Sequence, residues 1–205
     1  IFMLALLVIF SYLMGSIPTG YIIVKKKFNK DIREFGSGNI GATNVGRIAG
    51  KKLSKITAIC DMLKAIVPVL VTYLFLYLGL LKSNKSIALA LVAVAAILGH
   101  NYTIFLKFKG GKGIAATAGL IISTTNIWIV LICLAAFIAI VATTRYVSLG
   151  SMTVVTIYLI SVIVYGQHGG FHMENVAYLR EMYGIAAFLM ILAFWRHRAR
   201  ETSRK

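Results

Sequence analysis

Residues 113–144 read GIAATAGLIISTTNIWIVLICLAAFIAIVATT, a stretch without one charged side chain. A helix needs about 20 mostly apolar residues to cross the hydrocarbon core of a bilayer. This stretch is too long for one such helix, and the polar residues Ser123–Asn126 in its middle are typical of a turn. The sequence therefore predicts two membrane-spanning helices here, one on each side of that turn.

Further apolar runs of about the length of a span lie on both sides of this stretch. They are Ile1–Val24, Ile56–Leu81, Ser86–Leu106, Leu149–Tyr165 and Met182–Trp195. Their apolar residues are continuous and do not alternate as in a barrel strand, which favours helices. The first run lacks a basic leader and a cleavage site, so we expect a retained span and not a signal peptide. We predict an all-α polytopic membrane protein with seven transmembrane helices, in which residues 1–205 form a single transmembrane domain.

The basic residues predict the orientation of these helices. The chain has 22 Lys+Arg against 6 Asp+Glu, a formal net charge of +16. With the N-terminus outside and the C-terminus inside, the inner segments hold 18 of the basic residues and the outer loops hold three. Cytoplasmic loops carry such an excess, so this orientation is the predicted one. The hydrophobic share of 59% argues against a soluble nucleic-acid binder, so membrane lipid and not nucleic acid is the expected partner.

A glycine-rich polar segment, Gly36–Arg47, lies between the first two spans. It contains G-x-G-x-x-G, but no strand precedes it, so we reject a dinucleotide site. Its glycines let backbone N–H groups approach an anion closely. Neutral donors and one planar cation suited to phosphate come from Ser37, Asn39, Thr43, Asn44 and Arg47. A plain flexible loop is the alternative, but a linker seldom interleaves four glycines with so many donors.

A second polar segment, Lys109–Gly113, reads KGGKG and directly precedes an apolar run. A helix N-terminus attracts anions, and Lys109 and Lys112 would strengthen that field. Anchoring at the membrane surface would explain the lysines but not three glycines in four positions. The spacing is not that of a Walker A loop, so ATP hydrolysis is not predicted. His100, shortly before this segment, is most simply a packing histidine.

Two later segments are also cationic. One carries Arg145, Ser148 and Ser151. An ordinary turn at the membrane interface explains this segment about as well as a role in the functional site does. The other directly follows the last span and contains His197, a candidate proton carrier because its unperturbed pKa lies near neutrality.

Asp61 and Lys64 stand one helical turn apart inside the second span. A charge at membrane depth is a functional hypothesis by default. We interpret the two as a structural pair that orients the polar loops, because they can neutralise each other. The sequence shows neither a paired-carboxylate motif nor a plausible metal cluster, so no metal is expected.

Taken together, these segments closely resemble the bacterial acyl-phosphate:glycerol-3-phosphate acyltransferase family of integral membrane enzymes. The motifs that carry the resemblance are Gly15–Gly20, Gly36–Arg47, Asp61–Lys64 with Pro68, Gly99–His100 with Phe108–Gly113, Arg145–Ser148 and Arg196–Arg198. The resemblance implies seven transmembrane helices in the bacterial inner membrane and an active site on its cytoplasmic face. It implies transfer of an acyl group from acyl phosphate to the 1-hydroxyl of glycerol 3-phosphate, the first acylation step of phospholipid synthesis. The products are lysophosphatidic acid and phosphate. No cofactor is implied, and the enzyme that produces acyl phosphate is an expected partner.

The family pattern and the chemistry of the residues together give an expected site. Catalytic roles are expected for Ser37, Arg47, Lys112 and His197. Substrate binding is expected for Gly38, Asn39, Thr43, Asn44, Lys109, Gly110, Gly111, Gly113, Arg145, Ser148 and Ser151. The second loop would bind mainly glycerol 3-phosphate, while Ser37, Arg47 and Ser151 would hold the acyl phosphate head.

One position departs from the family pattern, and two other functions are considered. The family usually has an Asn three residues after the last histidine, where this chain has Arg200, and its tail is longer than one that stops at Lys205. An inactive scaffold relative is therefore one alternative. An organic-anion transporter with the same cationic loops is another, although the polar motifs lie in inner loops and no inverted repeat is visible.

Overall fold

The computed structural model describes residues 1–167 and, beyond them, the single helical positions Gly184, Ala187, Phe188, Ile191, Leu192 and Trp195. None of these described residues lies in a strand, which confirms the all-α prediction for this part of the chain. The helices within residues 1–167 are α1 (Phe2–Ser16), α2 (Thr19–Phe28), α3 (Ala42–Ala49), α4 (Lys51–Tyr77), α5 (Lys85–Asn101), α6 (Ile114–Thr124), α7 (Ile127–Thr144) and α8 (Val147–Gln167).

Within the described part, five helical stretches are long and apolar enough to cross a membrane. They are Phe2–Phe28, Lys51–Tyr77, Ile87–Leu106, Ile127–Thr144 and Val147–Val164. Helix α6 is apolar but shorter. The predicted turn is confirmed, since α6 ends at Thr124 and the Asn126 side chain caps α7 by accepting from the Trp128 N–H. Most of Met182–Trp195 lies outside the described residues, so the seven-helix count and the orientation stay predictions.

The chain divides into two compact units, Ile1–Ser123 and Thr124–Lys205. In the second unit, α7 and α8 pack closely at Gly150, where an added Cβ would crowd the side chains of Val141 and Phe137. The prediction of a single domain over residues 1–205 stays a prediction.

In the first unit, small residues bring α1 and α5 together. An added Cβ on Gly15 would overlap the Ala96 backbone, and one on Gly99 would overlap the Tyr12 backbone. Such contacts let helix backbones approach closely in a bilayer, where packing drives association. The Ser11 hydroxyl adds a buried hydrogen bond of 2.6 Å to the Val92 carbonyl.

The first predicted span is broken into α1 and α2 at Ile17 and Pro18. Proline has no N–H to donate, and the break leaves carbonyls at the end of α1 without helical partners. The Lys64 ammonium donates to the Ile17 carbonyl at 2.6 Å and pairs with Asp61 at 2.8 Å. Thr19, in the first turn of α2, lies close to the Asp61 carboxylate.

This pair complements both ends of the broken helix. A cation at the C-terminus of α1 and an anion at the N-terminus of α2 are each favoured by the helix dipole. The two side chains are only 4% and 3% exposed, so each charge depends on the other. The predicted pairing of Asp61 with Lys64 is confirmed, and its role in orienting the polar loops stays a prediction.

We expect Lys64→Met to destabilise the folded protein by about 3–5 kcal/mol, because it leaves the Asp61 carboxylate buried without a partner. The shift in thermal unfolding of the purified protein in detergent measures this loss. Adding Asp61→Asn should recover part of it. The matched control is Arg33→Met, which breaks the much more exposed pair with Asp31 and should cost less than about 1 kcal/mol. Equal shifts for Lys64→Met and Arg33→Met would contradict the role of the buried pair.

Candidate active site

The first polar loop is organised by the buried side chain of Asn44. Its Nδ2 lies within hydrogen-bonding distance of the carbonyls of Ile32, Phe35 and Asn39, at 3.3, 3.0 and 2.9 Å. Its Oδ1 accepts the backbone N–H of Ser37 at 2.8 Å. One side chain at the start of α3 therefore holds the preceding turns in place.

Two glycines give this loop its path. Gly36 and Gly38 have φ values of +58° and +62°, in the left-handed region that favours glycine. An added Cβ on Gly36 would also overlap Asn44 Oδ1. The glycines are thus needed for the turns themselves.

The predicted residues of this loop differ in accessibility. Ser37, Gly38 and Asn39 are half-buried, while Thr43 and Arg47 are exposed and lie one turn apart on the same face of α3. Asn44, which we expected to donate to a substrate, is fully buried and its amide is occupied within the protein. The structure gives it a shaping role, and substrate contact at Asn44 stays a prediction.

A 3₁₀ turn precedes this loop and is capped by Asp31, whose carboxylate accepts the Arg33 N–H at 2.9 Å. The hydrogen bond from the Arg33 guanidinium lowers the pKa of Asp31. The same guanidinium lies 5.4 Å from the centre of the Tyr21 ring.

The two polar loops share one hydrophobic cluster in the first unit. Its buried members are Val24, Ile32, Ile40, Val45 and Leu106. Leu106 ends the 3₁₀ turn that leads into the second polar segment, whereas Ile32, Ile40 and Val45 belong to the first loop and to α3. The structure therefore brings the two predicted loops to the same region of the first unit.

The second loop folds back on the end of α5. Lys107 and Phe108 have φ values of +54° and +60°, which reverse the chain. The N–H of Gly110 donates to the Asn101 carbonyl at 3.1 Å, and that of Gly111 donates to the His100 carbonyl at 2.9 Å. These bonds satisfy carbonyls that the last turn of a helix leaves without partners.

The same two glycines permit close packing. An added Cβ on Gly110 would overlap the His100 carbonyl, and one on Gly111 would overlap the His100 ring. Their amides are thus used inside the protein, so the groups best placed for an anion are the Lys109 and Lys112 side chains and the first N–H groups of α6. Gly113, at φ +81°, leads directly into that helix, as predicted.

His100 connects this loop to the buried ion pair. The ring is 4% exposed, and its Nδ1 lies 3.9 Å from Asp61 Oδ1. Sequence reasoning treated His100 as a packing residue only. Two features of the sequence could have indicated more. His100 directly precedes the chain reversal, and the preceding apolar span contains the acidic residue Asp61.

The remaining predicted residues belong to the second unit or lie outside the described residues. Arg145 ends α7 in the left-handed conformation and is exposed, and Ser148 is exposed in the first turn of α8. Ser151 is buried, and its hydroxyl donates to the Val147 carbonyl at 2.7 Å. All three belong to the second unit, and His197 and Arg200 lie outside the described residues. Among the residues that the structure describes, no group of His, Cys, Asp and Glu could hold a metal.

The chain was compared with known proteins. A sequence profile of glycerol-3-phosphate acyltransferase matches residues 5–203. A glycerol-3-phosphate acyltransferase of Halalkalibacterium halodurans is 41% identical over 196 residues, which span 95% of this chain and 88% of that protein. One of Clostridium acetobutylicum is 52% identical over 112 residues, 55% of this chain and 57% of its own length.

Solved structures show the same relationship. The crystal structure of PlsY (YgiH), an integral membrane glycerol 3-phosphate acyltransferase, in its glycerol 3-phosphate form has a TM-score of 0.81 and 33% identity. The match covers 97% of this chain and 90% of that one. Its lysophosphatidic acid form gives a TM-score of 0.76.

We expect Asn44→Ala to open the first loop, because it removes the acceptor of the Ser37 N–H and a donor close to the carbonyls of Ile32, Phe35 and Asn39. The first two carbonyls keep the backbone N–H groups of Phe35 and Gly38 as partners. Each buried group left unsatisfied costs about 1–3 kcal/mol. Hydrogen–deuterium exchange at residues 35–39 of the purified protein should become faster. Ser54→Ala is the control, since it removes a single hydrogen bond from α4 to the Ala42 carbonyl at the start of α3, and it should leave this exchange unchanged. Unaltered exchange in Asn44→Ala would refute the shaping role.

Proposed function

This chain belongs to the glycerol-3-phosphate acyltransferase family and is an acyltransferase, and we propose that its two polar loops bind the two phosphorylated substrates of that reaction. The substrates are acyl phosphate and glycerol 3-phosphate, and the products are lysophosphatidic acid and inorganic phosphate. The observation that carries the proposal is the shared hydrophobic cluster, which brings Gly36–Arg47 and Lys109–Gly113 to one region of the first unit.

The reaction needs little from the protein in the way of covalent chemistry. Acyl phosphate is a mixed anhydride, and its phosphate is a good leaving group. The 1-hydroxyl oxygen of glycerol 3-phosphate attacks the carbonyl carbon, a new ester C–O bond forms, and the carbonyl C–O bond to phosphate breaks. The leaving phosphate takes the electron pair. The hydroxyl proton goes to a phosphate oxygen of the substrate, with His197 as the alternative acceptor.

We assign glycerol 3-phosphate to the second loop. Lys109 is exposed, Lys112 is half-buried, and both come just before α6. The first N–H groups of a helix have no partner within it and carry partial positive charge. Two lysines at that position add to the attraction for a phosphate dianion. In this arrangement Gly110, Gly111 and Gly113 set the shape of the loop.

We assign the acyl phosphate head to the first loop. Arg47 presents an exposed planar guanidinium, which suits bidentate contact with phosphate oxygens. Ser37 belongs to the same segment, and its backbone N–H donates to the Asn44 side chain. Donors aimed at the carbonyl oxygen would stabilise the charge that develops there, and orientation of the glycerol hydroxyl would add to the rate. Ser151 and His197 enter this proposal on the family pattern alone.

The protein is a multi-pass membrane protein, and we propose that it has seven helices with the N-terminus outside. The unequal distribution of basic residues, 18 inside against three outside, supports this orientation. It places both polar loops on the cytoplasmic face of the bacterial inner membrane. Acyl phosphate made in the cytoplasm reaches that face, and the acyl chain would lie in a groove between apolar helices.

The test of this function is acyl transfer by the purified protein in detergent. We expect lysophosphatidic acid, detected by mass spectrometry, together with phosphate release that depends on glycerol 3-phosphate. A free fatty acid of the same length should give no product, because it lacks the anhydride bond. Detergent micelles hold no gradient, so a transporter would give no product either. Phosphate release that is independent of glycerol 3-phosphate would contradict the proposal. Activity only in Arg200→Asn would favour the inactive-scaffold alternative.

We expect Arg47→Ala to lower kcat/KM for acyl phosphate by about 10²–10³-fold, because a charge-stabilising donor is lost. Arg47→Lys should recover only part of the activity, since an ammonium cannot make the paired contacts of a guanidinium. Lys30→Ala is the matched control, because Lys30 is also an exposed cation between α2 and α4 but lies outside the Gly36–Arg47 motif. Equal activity of Arg47→Ala and Lys30→Ala would remove Arg47 from the site.

A further inference from the structure

Three buried ionisable side chains form a group that reaches the second polar loop, and none of them has a role in the acyl transfer proposed for this protein. They are Asp61 and Lys64 of α4 and His100 of α5, each at most 4% exposed. Burying ionisable groups in the membrane-spanning part of a protein is costly, and such groups usually serve a purpose. The ion pair already has a structural role at the break between α1 and α2. His100 needs a separate explanation.

These side chains form a continuous series that ends at the loop. Lys64 Nζ lies 2.8 Å from Asp61 Oδ1, and the same oxygen lies 3.9 Å from His100 Nδ1. On the other side of the imidazole, Nε2 lies against Gly111, so closely that an added Cβ there would overlap it. One edge of the ring therefore faces the ion pair and the other edge supports the loop.

The backbone of His100 contacts the same glycine. Its carbonyl accepts the Gly111 N–H at 2.9 Å, next to the bond from Gly110 to Asn101. Gly111 is thus held by both the main chain and the side chain of one residue. Lys112 follows directly, and α6 begins two residues later.

We propose that His100 is a positioning residue for the phosphate-binding loop. Its imidazole, oriented by the Asp61–Lys64 pair, is the surface on which Gly111 rests. That contact sets the position of Lys112 and of the first turn of α6, and so the affinity for the phosphate of glycerol 3-phosphate. The inference rests on the proposed function in one respect, because it takes this loop as the glycerol 3-phosphate site.

The His100 ring can set the position of the loop because it packs against Gly111 without a gap. Gly111 has no side chain that could adjust, so the loop backbone follows the ring directly. Removal of the ring opens a space, and the loop moves into it. A displacement of about 1 Å in a positioning group can cost about 10²-fold in rate or affinity.

The first experiment compares His100→Ala with Ser11→Ala. Ser11→Ala is matched because Ser11, on α1, also makes a buried polar contact with α5, through the Val92 carbonyl. This contact is distant in sequence from the loop. We expect His100→Ala to raise KM for glycerol 3-phosphate at least about tenfold, with KM for acyl phosphate within about twofold. Ser11→Ala should leave both KM values unchanged. Parallel changes of both KM values in His100→Ala would overturn the proposal.

Two measurements keep the test informative if His100→Ala folds poorly. His100→Asn retains a polar group near the position of Nδ1 but lacks the ring edge under Gly111, and it should show the same selective rise in KM. Binding of glycerol 3-phosphate to the purified protein, measured by calorimetry, does not depend on turnover. Unchanged glycerol 3-phosphate affinity in both variants would overturn the positioning role while leaving the acyltransferase function intact. Binding that weakens in both variants, with no acyl transfer by the wild type, would support the positioning role and contradict the proposed function.

The second experiment is a double-mutant cycle between the two contacting residues. Gly111→Ala alone places a methyl group where the ring stands and should weaken glycerol 3-phosphate binding at least about tenfold. In the His100→Ala background the methyl group has room, so the double variant should bind no worse than His100→Ala. Such non-additivity is the signature of a direct contact. Losses that simply add would show that the ring does not support the loop.

Discussion

The rest of the first unit depends on the ion pair between Asp61 and Lys64, which lies at the break between α1 and α2. Pro18 interrupts the α-helical hydrogen bonding within the first apolar stretch. Lys64 supplies a donor to the Ile17 carbonyl, and Asp61 lies close to Thr19 at the start of α2. Neither charge could stay buried without the other. The pair thus joins α1, α2 and α4. The first polar loop follows α2, and the second follows α5, whose His100 ring lies 3.9 Å from Asp61.

The loops themselves are held mostly by a few buried polar groups. Asn44 contacts four backbone groups of the first loop, and the end of α5 accepts from the Gly110 and Gly111 amides of the second. In both loops the glycines allow backbone conformations with positive φ and allow other groups to pack closely against the backbone. The exposed cations Arg47 and Lys109 do not take part in these contacts. This division of roles separates the groups that build the site from those that can bind an anion.

The sequence predicted the parts of this structure that depend on local pattern. The apolar runs, the turn before Asn126, the start of α6 after Gly113 and the pairing of Asp61 with Lys64 all follow from spacing along one helix or one loop. The internal roles of Asn44 and His100 depend on contacts between segments, which no periodicity encodes. The sequence around an asparagine in a polar loop is the same whether its amide contacts a substrate or backbone carbonyls. The functional identity came from the order of several motifs, because each motif alone is compatible with other functions.

A reaction with a good leaving group changes what a protein has to provide. When the donor is already an activated anhydride, no nucleophilic side chain is needed, and positioning and charge stabilisation remain as the sources of rate. Positioning of small charged substrates requires loops that do not move, yet such loops must be rich in glycine to come close to them. Buried anchors resolve this conflict, since they hold a glycine-rich backbone as firmly as a helix would. The ion pair, the imidazole and the buried amide are therefore the expected companions of exposed lysines and arginine in a site of this kind.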